Sequence, residues 1–148
     1  MKKLIALFVV LLSVCAVSTP AMAGSVSVYA NPHNDGKRGN GVGVSVAVQA
    51  TEKVDLSINY LDTDTNGGGN QTWDARVGVS APIVSKLSAI AEVGYGAPYR
   101  ARTFILPVAF GLKYPIAGNV AAVVKGTRYF KDSAKQDVQW TAGLTFGF

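Results

Sequence analysis

From residue 42 onward, apolar and polar positions alternate along the chain with a period of two, which is typical of β-strands with two unlike faces. Val42, Val44, Val46 and Val48 share one face of the first clear run, whereas small and polar residues fill the other face. The same alternation returns in six further runs, at 54–60, 73–80, 87–95, 104–113, 120–127 and 138–148. With a short run at 25–30 before them, the pattern predicts eight strands.

The connections between the predicted strands alternate between long and short. The long connections are polar and cover 30–39, 62–71, 96–102 and 130–136, whereas the short ones cover 51–53, 81–86 and 115–119. An even number of antiparallel strands, with long loops at one end and short turns at the other, is typical of bacterial outer-membrane barrels. In such a barrel the start of the first strand and the end of the last strand both lie on the short-turn, periplasmic side.

Alternation alone does not distinguish a membrane barrel from a soluble one, because both have one apolar and one polar face. The polar face here consists mainly of glycine, alanine, serine and threonine, which suits a narrow interior better than a solvated surface. Aromatic residues also collect near the strand ends, as the interfaces of a membrane favour. They are Tyr60, Trp73, Tyr95, Phe104, Tyr114, Tyr129, Phe130, Trp140 and Phe148. The predicted fold is all-β, an eight-stranded antiparallel up-and-down transmembrane β-barrel.

An N-terminal segment with the pattern of a secretory signal peptide precedes the strands. Lys2 and Lys3 form a positive start, residues 4–17 are apolar, and residues 21–23 (Ala-Met-Ala) have the small residues at both flanking positions that a cleavage site needs. The 14-residue apolar stretch is shorter than the roughly 20 residues that a membrane-spanning helix needs. We therefore expect residues 1–23 to be removed on export.

Cleavage after Ala23 leaves residues 24–148 as a single domain without cysteine. The alternative is lipid attachment at Cys15, but Val14 stands where lipoprotein signals carry Gly, Ala or Ser. Only 16% of the chain is charged, against roughly 25% in ordinary soluble proteins. Without the two signal-peptide lysines, 12 basic residues face 9 acidic ones, and a net charge of +3 is too mild to predict a nucleic-acid partner.

The last predicted strand ends in a patterned motif. A polar residue, a glycine and two alternating hydrophobic residues, the second a terminal aromatic, occur as Thr141, Gly143, Phe146 and Phe148. With the signal peptide, this motif makes the chain resemble the small eight-stranded outer-membrane proteins of the OmpX, OmpA-barrel and opacity-type group. The resemblance implies location in the cell outer membrane of a Gram-negative bacterium. It also implies contacts with outer-membrane lipids, lipopolysaccharide and the barrel assembly machinery, and a monomer is favoured.

Six charged residues fall on the polar face and would point into the barrel. They are Asp55, Asp74, Arg76, Glu92, Lys113 and Lys125. A pore would use such charges as a selectivity lining, but eight strands leave an interior only just wide enough for side chains. We therefore expect the charges to pair with one another and to close the lumen. A turn near 82–85 that pairs Ser80 with Ser88 would place Arg76 directly opposite Glu92.

Basic residues also occur near the predicted long loops. Lys37, Arg38, Arg100, Arg102, Arg128 and Lys131 are candidates for contacts with lipopolysaccharide. Its phosphate groups suit arginine in particular, which can bind them with two parallel hydrogen bonds. Acidic residues are interspersed among these basic ones, so an ordinary solvated rim is an equal alternative.

The sequence offers little for catalysis. His33 is the only histidine, and the candidate nucleophile at the same end is Ser133 in the last loop. The His-x-Ser pattern of lipid A deacylases is absent. We therefore expect no catalytic residue, no metal and no cofactor. The expected function is a non-enzymatic structural or surface-interaction role, with a narrow pore for small solutes or a lipid A-modifying enzyme as the alternatives.

Overall fold

The computed structural model describes residues 23–31, 41–63, 70–98, 104–130 and 138–148. Eight strands follow one another in this part of the chain. They are β1 Gly24–Asn31, β2 Gly41–Gln49, β3 Val54–Thr63, β4 Asn70–Val84, β5 Leu87–Pro98, β6 Leu106–Ala117, β7 Val120–Phe130 and β8 Val138–Gly147. The described residues contain no helix that is long and apolar enough to cross a membrane.

The sheet closes on itself. Every strand pairs antiparallel with the next one along the chain, and β1 pairs with β8 through the register Ser25–Gly147 to Ala30–Ala142. Gly24 and Phe148 continue this seam with two backbone hydrogen bonds of 3.0 and 2.9 Å. Closure gives each strand two neighbours, so backbone groups that an open edge would leave unpaired are hydrogen-bonded. The predicted eight-stranded up-and-down barrel is confirmed.

Short turns join β2 to β3, β4 to β5 and β6 to β7 at the same end of the barrel, here called the short-turn end; the opposite end is the long-loop end. β4 continues to Val84, so its turn consists of Ser85 and Lys86 and does not occupy 82–85 as the sequence predicted. Ser85 has φ of 43° and Gly118, in the β6–β7 turn, has φ of 51°. Two-residue hairpins use such left-handed positions because they match the twist of the paired strands.

The apolar face of the sheet points outward. Large hydrophobic side chains are exposed on every strand, and Ile58 and Phe110 reach 62% and 67% exposure. Among the described residues, twelve polar or charged residues are buried, whereas the core hydrophobic residues number six. This distribution inverts that of a soluble domain and matches a barrel with an apolar band toward lipid and a polar interior.

Aromatic residues lie on the outside near the long-loop end. The ring centroids of Tyr60 and Trp73 are 4.5 Å apart, and those of Tyr95 and Phe104 are 5.1 Å apart. Such pairs suit the headgroup level of a membrane, where amphipathic rings are favoured. Tyr129 does not belong to this outer belt as the sequence predicted, because its hydroxyl lies inside the barrel among the charges described below.

Candidate functional site: a charge cluster inside the barrel

Four of the six predicted interior charges meet in one group, here called the charge cluster: Asp74, Arg76, Glu92 and Lys125. Arg76 is its centre. Its Nε and Nη2 atoms lie 2.7 and 2.8 Å from the two carboxylate oxygens of Asp74, and its Nη1 lies 3.0 Å from Oε2 of Glu92. The two-pronged contact with Asp74 is the strongest geometry available to an arginine and a carboxylate.

Lys125 extends the charge cluster from the other side of the barrel. Its Nζ lies 2.9 and 3.2 Å from the two carboxylate oxygens of Glu92. The same Nζ is 4.6 Å from the ring centroid of Tyr29 on β1, which is cation–π distance. Residues from β1, β4, β5 and β7 therefore meet in the lumen, although they come from distant parts of the sequence.

Neutral side chains complete the hydrogen bonding of these charges. Asn59 donates to Oδ1 of Asp74 at 2.9 Å, and Arg76 donates to the hydroxyl oxygens of Thr127 and Tyr129 at 3.4 Å each. All four charged residues of the cluster are 8% exposed or less. Buried charges are tolerated only when paired and hydrogen-bonded, and this group meets that condition.

Glycines on neighbouring strands make room for the long side chains. Arg76 pairs with Gly94 in the sheet register, and Lys125 pairs with Gly111. A Cβ atom on Gly94 would lie 2.7 Å from Cγ of Arg76, and one on Gly111 would lie 2.6 Å from Cγ of Lys125. The same relation joins Asp74 to Gly96, Asp55 to Gly78 and Tyr29 to Gly143. Because eight strands enclose little space, each large interior residue needs a neighbour without a side chain.

The register between β4 and β5 differs from the predicted one by two residues. Ser88 pairs with Pro82 and not with Ser80, so Arg76 lies opposite Gly94 and Glu92 lies opposite Gly78. A shift of two residues keeps every side chain on its face of the sheet. Arg76 and Glu92 become diagonal neighbours, still within reach of an arginine side chain.

Buried side chains also lie between the charge cluster and the long-loop end. Ile105 and Ala109 are 2% and 0% exposed, and Leu61 and Pro107 are also buried. Gln139 lies in the same half, and its Oε1 atom is buried without a hydrogen-bond partner among the described residues. These side chains occupy part of the interior on the long-loop side of the charge cluster.

The half toward the short-turn end contains a cavity of about 410 Å³, here called the inner cavity. Glu92 and Lys125 form its floor, and Asp55 and Lys113, the two remaining predicted charges, line its walls. No ion pair joins Asp55 or Lys113 to another residue in the part of the chain that the structure describes. The structure thus divides the six predicted charges into a paired group of four and two charges that face an open space.

The other predicted site residues fall into two groups. Arg128 is exposed at the long-loop end, with its guanidinium carbon 5.3 Å from the ring centroid of Phe130. Lys37, Arg38, Arg100, Arg102 and Lys131 lie outside the described residues, as do His33, Ser133 and residues 1–22. No group of histidine, cysteine or acidic residues suited to a metal ion occurs among the described residues.

The residues of the predicted assembly motif lie along β8. Thr141 is buried and donates to the backbone oxygen of Lys125 at 3.4 Å. Gly143 pairs with Tyr29 across the closing seam, whereas Phe146 and Phe148 are exposed on the outside. β8 is therefore the strand that completes the barrel and contributes to the support of Lys125.

Sequence reasoning missed the aromatic partners of the charge cluster, Tyr29 and Tyr129. Period-two counting along β7 identifies Tyr129, because it follows Lys125 and Thr127 on the same face. Tyr29 lacks such a signal, since its contact with Lys125 depends on which strands close the barrel.

Several solved β-barrels are similar to this structure. The N-terminal β-barrel domain of Pseudomonas aeruginosa OprF matches with a TM-score of 0.66 and 13% identity, over 85% of this chain and 97% of that one. Neisserial surface protein A (NspA) matches with a TM-score of 0.67 and 10% identity, over 86% and 97%. The Yersinia pestis outer membrane protein Ail, in a phospholipid bilayer nanodisc, gives 0.59 and 14%, over 85% and 99%.

These likenesses concern the fold, because the sequence identities are low. They confirm, at the level of fold, the predicted resemblance to small eight-stranded outer-membrane barrels. A de novo designed transmembrane β-barrel also matches, with a TM-score of 0.60 and 16% identity, over 88% of this chain and 98% of the design. No protein-family model and no curated protein sequence matches the chain.

Proposed function

We propose that this chain is a non-enzymatic protein of the bacterial outer membrane, with a structural or surface-interaction role and a lumen closed by its own side chains. The observation that carries the closed lumen is the charge cluster of Asp74, Arg76, Glu92 and Lys125, which links β4, β5 and β7 across the interior. The buried side chains between this cluster and the long-loop end support the same conclusion.

The outward apolar face supports the membrane location. The exposed positions of the closed sheet are valine, leucine, isoleucine and aromatic residues. Such a surface would associate or aggregate in water, whereas lipid solvates it. The signal-peptide pattern of residues 1–23 is consistent with export, and the motif on β8 with recognition by the barrel assembly machinery. The short-turn end would then face the periplasm.

Opening a continuous path through the lumen would require the charge cluster to separate. Arg76 would leave Asp74 and Glu92, and Lys125 would leave Glu92. Leaving a buried charge without its partner costs about 3–5 kcal/mol. A spontaneously open state would therefore be rare, because it requires more than one such separation.

A narrow pore for small solutes is the second candidate. The inner cavity favours it, since about 410 Å³ of the interior is already free of side chains. Single-channel recording in planar bilayers separates the two functions. We expect no conductance steps from the refolded wild-type chain, whereas steady ion-selective steps would establish a pore.

A variant tests the role of the charge cluster in closure. Replacement of Asp74, Arg76, Glu92 and Lys125 together by serine removes the cluster's charges and most of its side-chain volume. After a gel assay has shown that it folds, we expect this variant to conduct ions, and Arg128→Ser, outside the lumen, to stay silent. If the serine variant is silent too, side chains nearer the long-loop end close the lumen by themselves and the role given to the cluster is wrong.

The long-loop end is proposed to contact lipopolysaccharide. Arg128 is exposed there beside Phe130, at the level where a headgroup phosphate and an aromatic side chain both find partners.

Comparison of lipid A by mass spectrometry in cells with and without the protein tests the non-enzymatic assignment. We expect identical lipid A profiles, and a change of acylation would overturn the assignment.

A further inference from the structure

The inner cavity reaches the short-turn end, where Gln49, Gly118 and Asn119 line it and are exposed. At its other limit Glu92 and Lys125 belong to the charge cluster. The cavity is thus a blind chamber that is closed at one end. Serine hydroxyls contribute much of its polar wall, from Ser25, Ser27, Ser45, Ser57 and Ser80.

Asp55 and Lys113 give this chamber one free charge of each sign. Asp55 is on β3 and Lys113 on β6, which are three strands apart in a closed order of eight, so the two side chains enter the cavity from nearly opposite walls. Both are partly exposed, and neither forms an ion pair with another described residue. The floor adds no net charge, because Glu92 and Lys125 neutralise each other there.

We propose that the inner cavity binds a small zwitterion whose ammonium and carboxylate groups lie at opposite ends of the molecule. The Asp55 carboxylate accepts hydrogen bonds from the ammonium group, and the Lys113 ammonium donates to the carboxylate. Serine hydroxyls, which both donate and accept, complete the solvation of the ligand. This assignment goes beyond the proposed function and does not depend on whether the lumen conducts.

The size and the charge balance of the cavity define this ligand class. At about 30 Å³ for each water of liquid volume, a cavity of about 410 Å³ holds a molecule of several heavy atoms together with water. An ion of one sign would pair with the charged group on one wall. It would also displace water from the charged group on the opposite wall without pairing with it. A molecule with both charges satisfies both walls at once, and charge-assisted hydrogen bonds are the stronger kind.

Three molecules of nearly equal size test the proposal: 4-aminobutyrate with both charges, butyrate with the carboxylate alone and n-butylammonium with the ammonium alone. Each is titrated into the ¹⁵N-labelled barrel in lipid nanodiscs, and the amide shifts of the cavity residues are followed by NMR. We expect saturable shifts with 4-aminobutyrate at residues such as Ser57 and Lys113. The affinity for each singly charged molecule should be lower by a factor of about ten or more, because one charged hydrogen-bonding group is missing.

Charge-neutral variants identify the groups responsible. Asp55→Asn and Lys113→Gln keep the number of side-chain heavy atoms, and each should lower the affinity for 4-aminobutyrate about tenfold. Glu52→Gln and Lys86→Gln are matched controls, because both residues are exposed in turns at the same end and neither lines the cavity. These controls should bind as the wild type does.

Three outcomes would overturn the proposal. The first is the absence of saturable shifts with 4-aminobutyrate, which would mean that the cavity holds water alone. The second is equal affinity for all three molecules, which would mean that charge is not read. The third is an equal loss of affinity in the control variants, which would mean that affinity depends on the overall electrostatic field at the short-turn end and not on Asp55 and Lys113. Conductance recordings do not enter this test, so its failure leaves the closed lumen unaffected.

Discussion

At the scale of single residues, Glu92 holds the charge cluster together. Its carboxylate is the link between Arg76 and Lys125, and Lys125 has no other carboxylate partner among the described residues. Arg76, in contrast, keeps its two contacts with Asp74 when Glu92 is lost. Changes at Glu92 therefore fall mainly on Lys125, whose ammonium group would remain buried with the ring of Tyr29 beside it.

We predict that Glu92→Gln destabilises the barrel by about 3–5 kcal/mol, because it leaves the Lys125 charge uncompensated in the interior. Adding Lys125→Met to Glu92→Gln should restore most of the lost stability, since Arg76 and Asp74 still form a complete pair. Urea unfolding in lipid vesicles, followed by tryptophan fluorescence, measures both effects. Glu52→Gln, in an exposed turn, is the control. If Glu92→Gln unfolds like the wild type, the interior is wet enough to screen its charges.

The interior glycines also matter at the scale of single residues, because they have no side chain and so leave space for the large side chains beside them. A methyl group on Gly94 would contact the backbone oxygen of Ala75 and lie 2.7 Å from Cγ of Arg76. A side chain can move aside, but a backbone oxygen within a strand cannot do so without disturbing the ladder. The cost of such overpacking is about 1–3 kcal/mol.

Gly94→Ala should therefore lower the free energy of unfolding by about 1–3 kcal/mol. Gly147→Ala is the matched control, because its nearest contact would be at 3.6 Å, an ordinary distance. Both substitutions stiffen the unfolded chain in the same way, so their difference isolates the steric effect. Equal stability of the two variants in urea would show that the space beside Arg76 is not limiting.

At the scale of elements, the alternation of apolar and polar residues with period two predicts which face of the sheet each residue occupies, but it does not predict the register between strands. The face of a residue depends on its own strand alone, so the predicted inward charges reach the interior wherever the strand exists. Register depends on the turn, and the β4–β5 turn was misplaced because β4 continues through Pro82 to Val84, where the register also shifts. The inner cavity could not be predicted at all, since it depends on the side chains of all the walls after closure.

β8 closes the barrel and also carries the residues of the proposed assembly motif. It forms the seam with β1, and the ring of Phe148 lies over Gly24, where a Cβ atom would come within 2.5 Å of it. Phe148 and Phe146 also present their rings on the outside of the barrel. The same strand can thus be packed in the folded barrel and exposed to a binding partner before closure.

Phe148→Asp should lower the amount of folded protein in the membranes of cells more than it lowers refolding into lipid vesicles. A charge at this position removes an aromatic group proposed to be recognised by the assembly machinery, whereas vesicle refolding needs only the apolar seam. Phe148→Tyr keeps the ring and is the control. Levels of the aspartate variant equal to the wild type in cells would contradict a role of this residue in assembly. An equal loss in cells and in vesicles would reduce its role to packing.

At the scale of the whole molecule, closure makes the barrel cooperative. Each of the eight strands is hydrogen-bonded on both sides, and the first and last strands support each other across the seam. No strand can leave without breaking two ladders, and in the proposed lipid environment the freed backbone groups would find no other partner. The charge cluster adds links between strands that are not neighbours, since β5 and β7 are joined through Glu92 and Lys125.

Such a molecule should fractionate with outer membranes and resist cold detergent, and we expect it to migrate on gels as a compact species until heated. Detergent replaces lipid around the apolar band without competing for the ladder hydrogen bonds, so the sheet remains closed. Heating opens the seam, and the chain then runs at the position of its mass. The Glu92→Gln variant should make this shift at a lower temperature than the wild type, because it loses the link between β5 and β7. Recovery of the protein in the periplasmic fraction, with no heat-dependent shift, would contradict the membrane assignment.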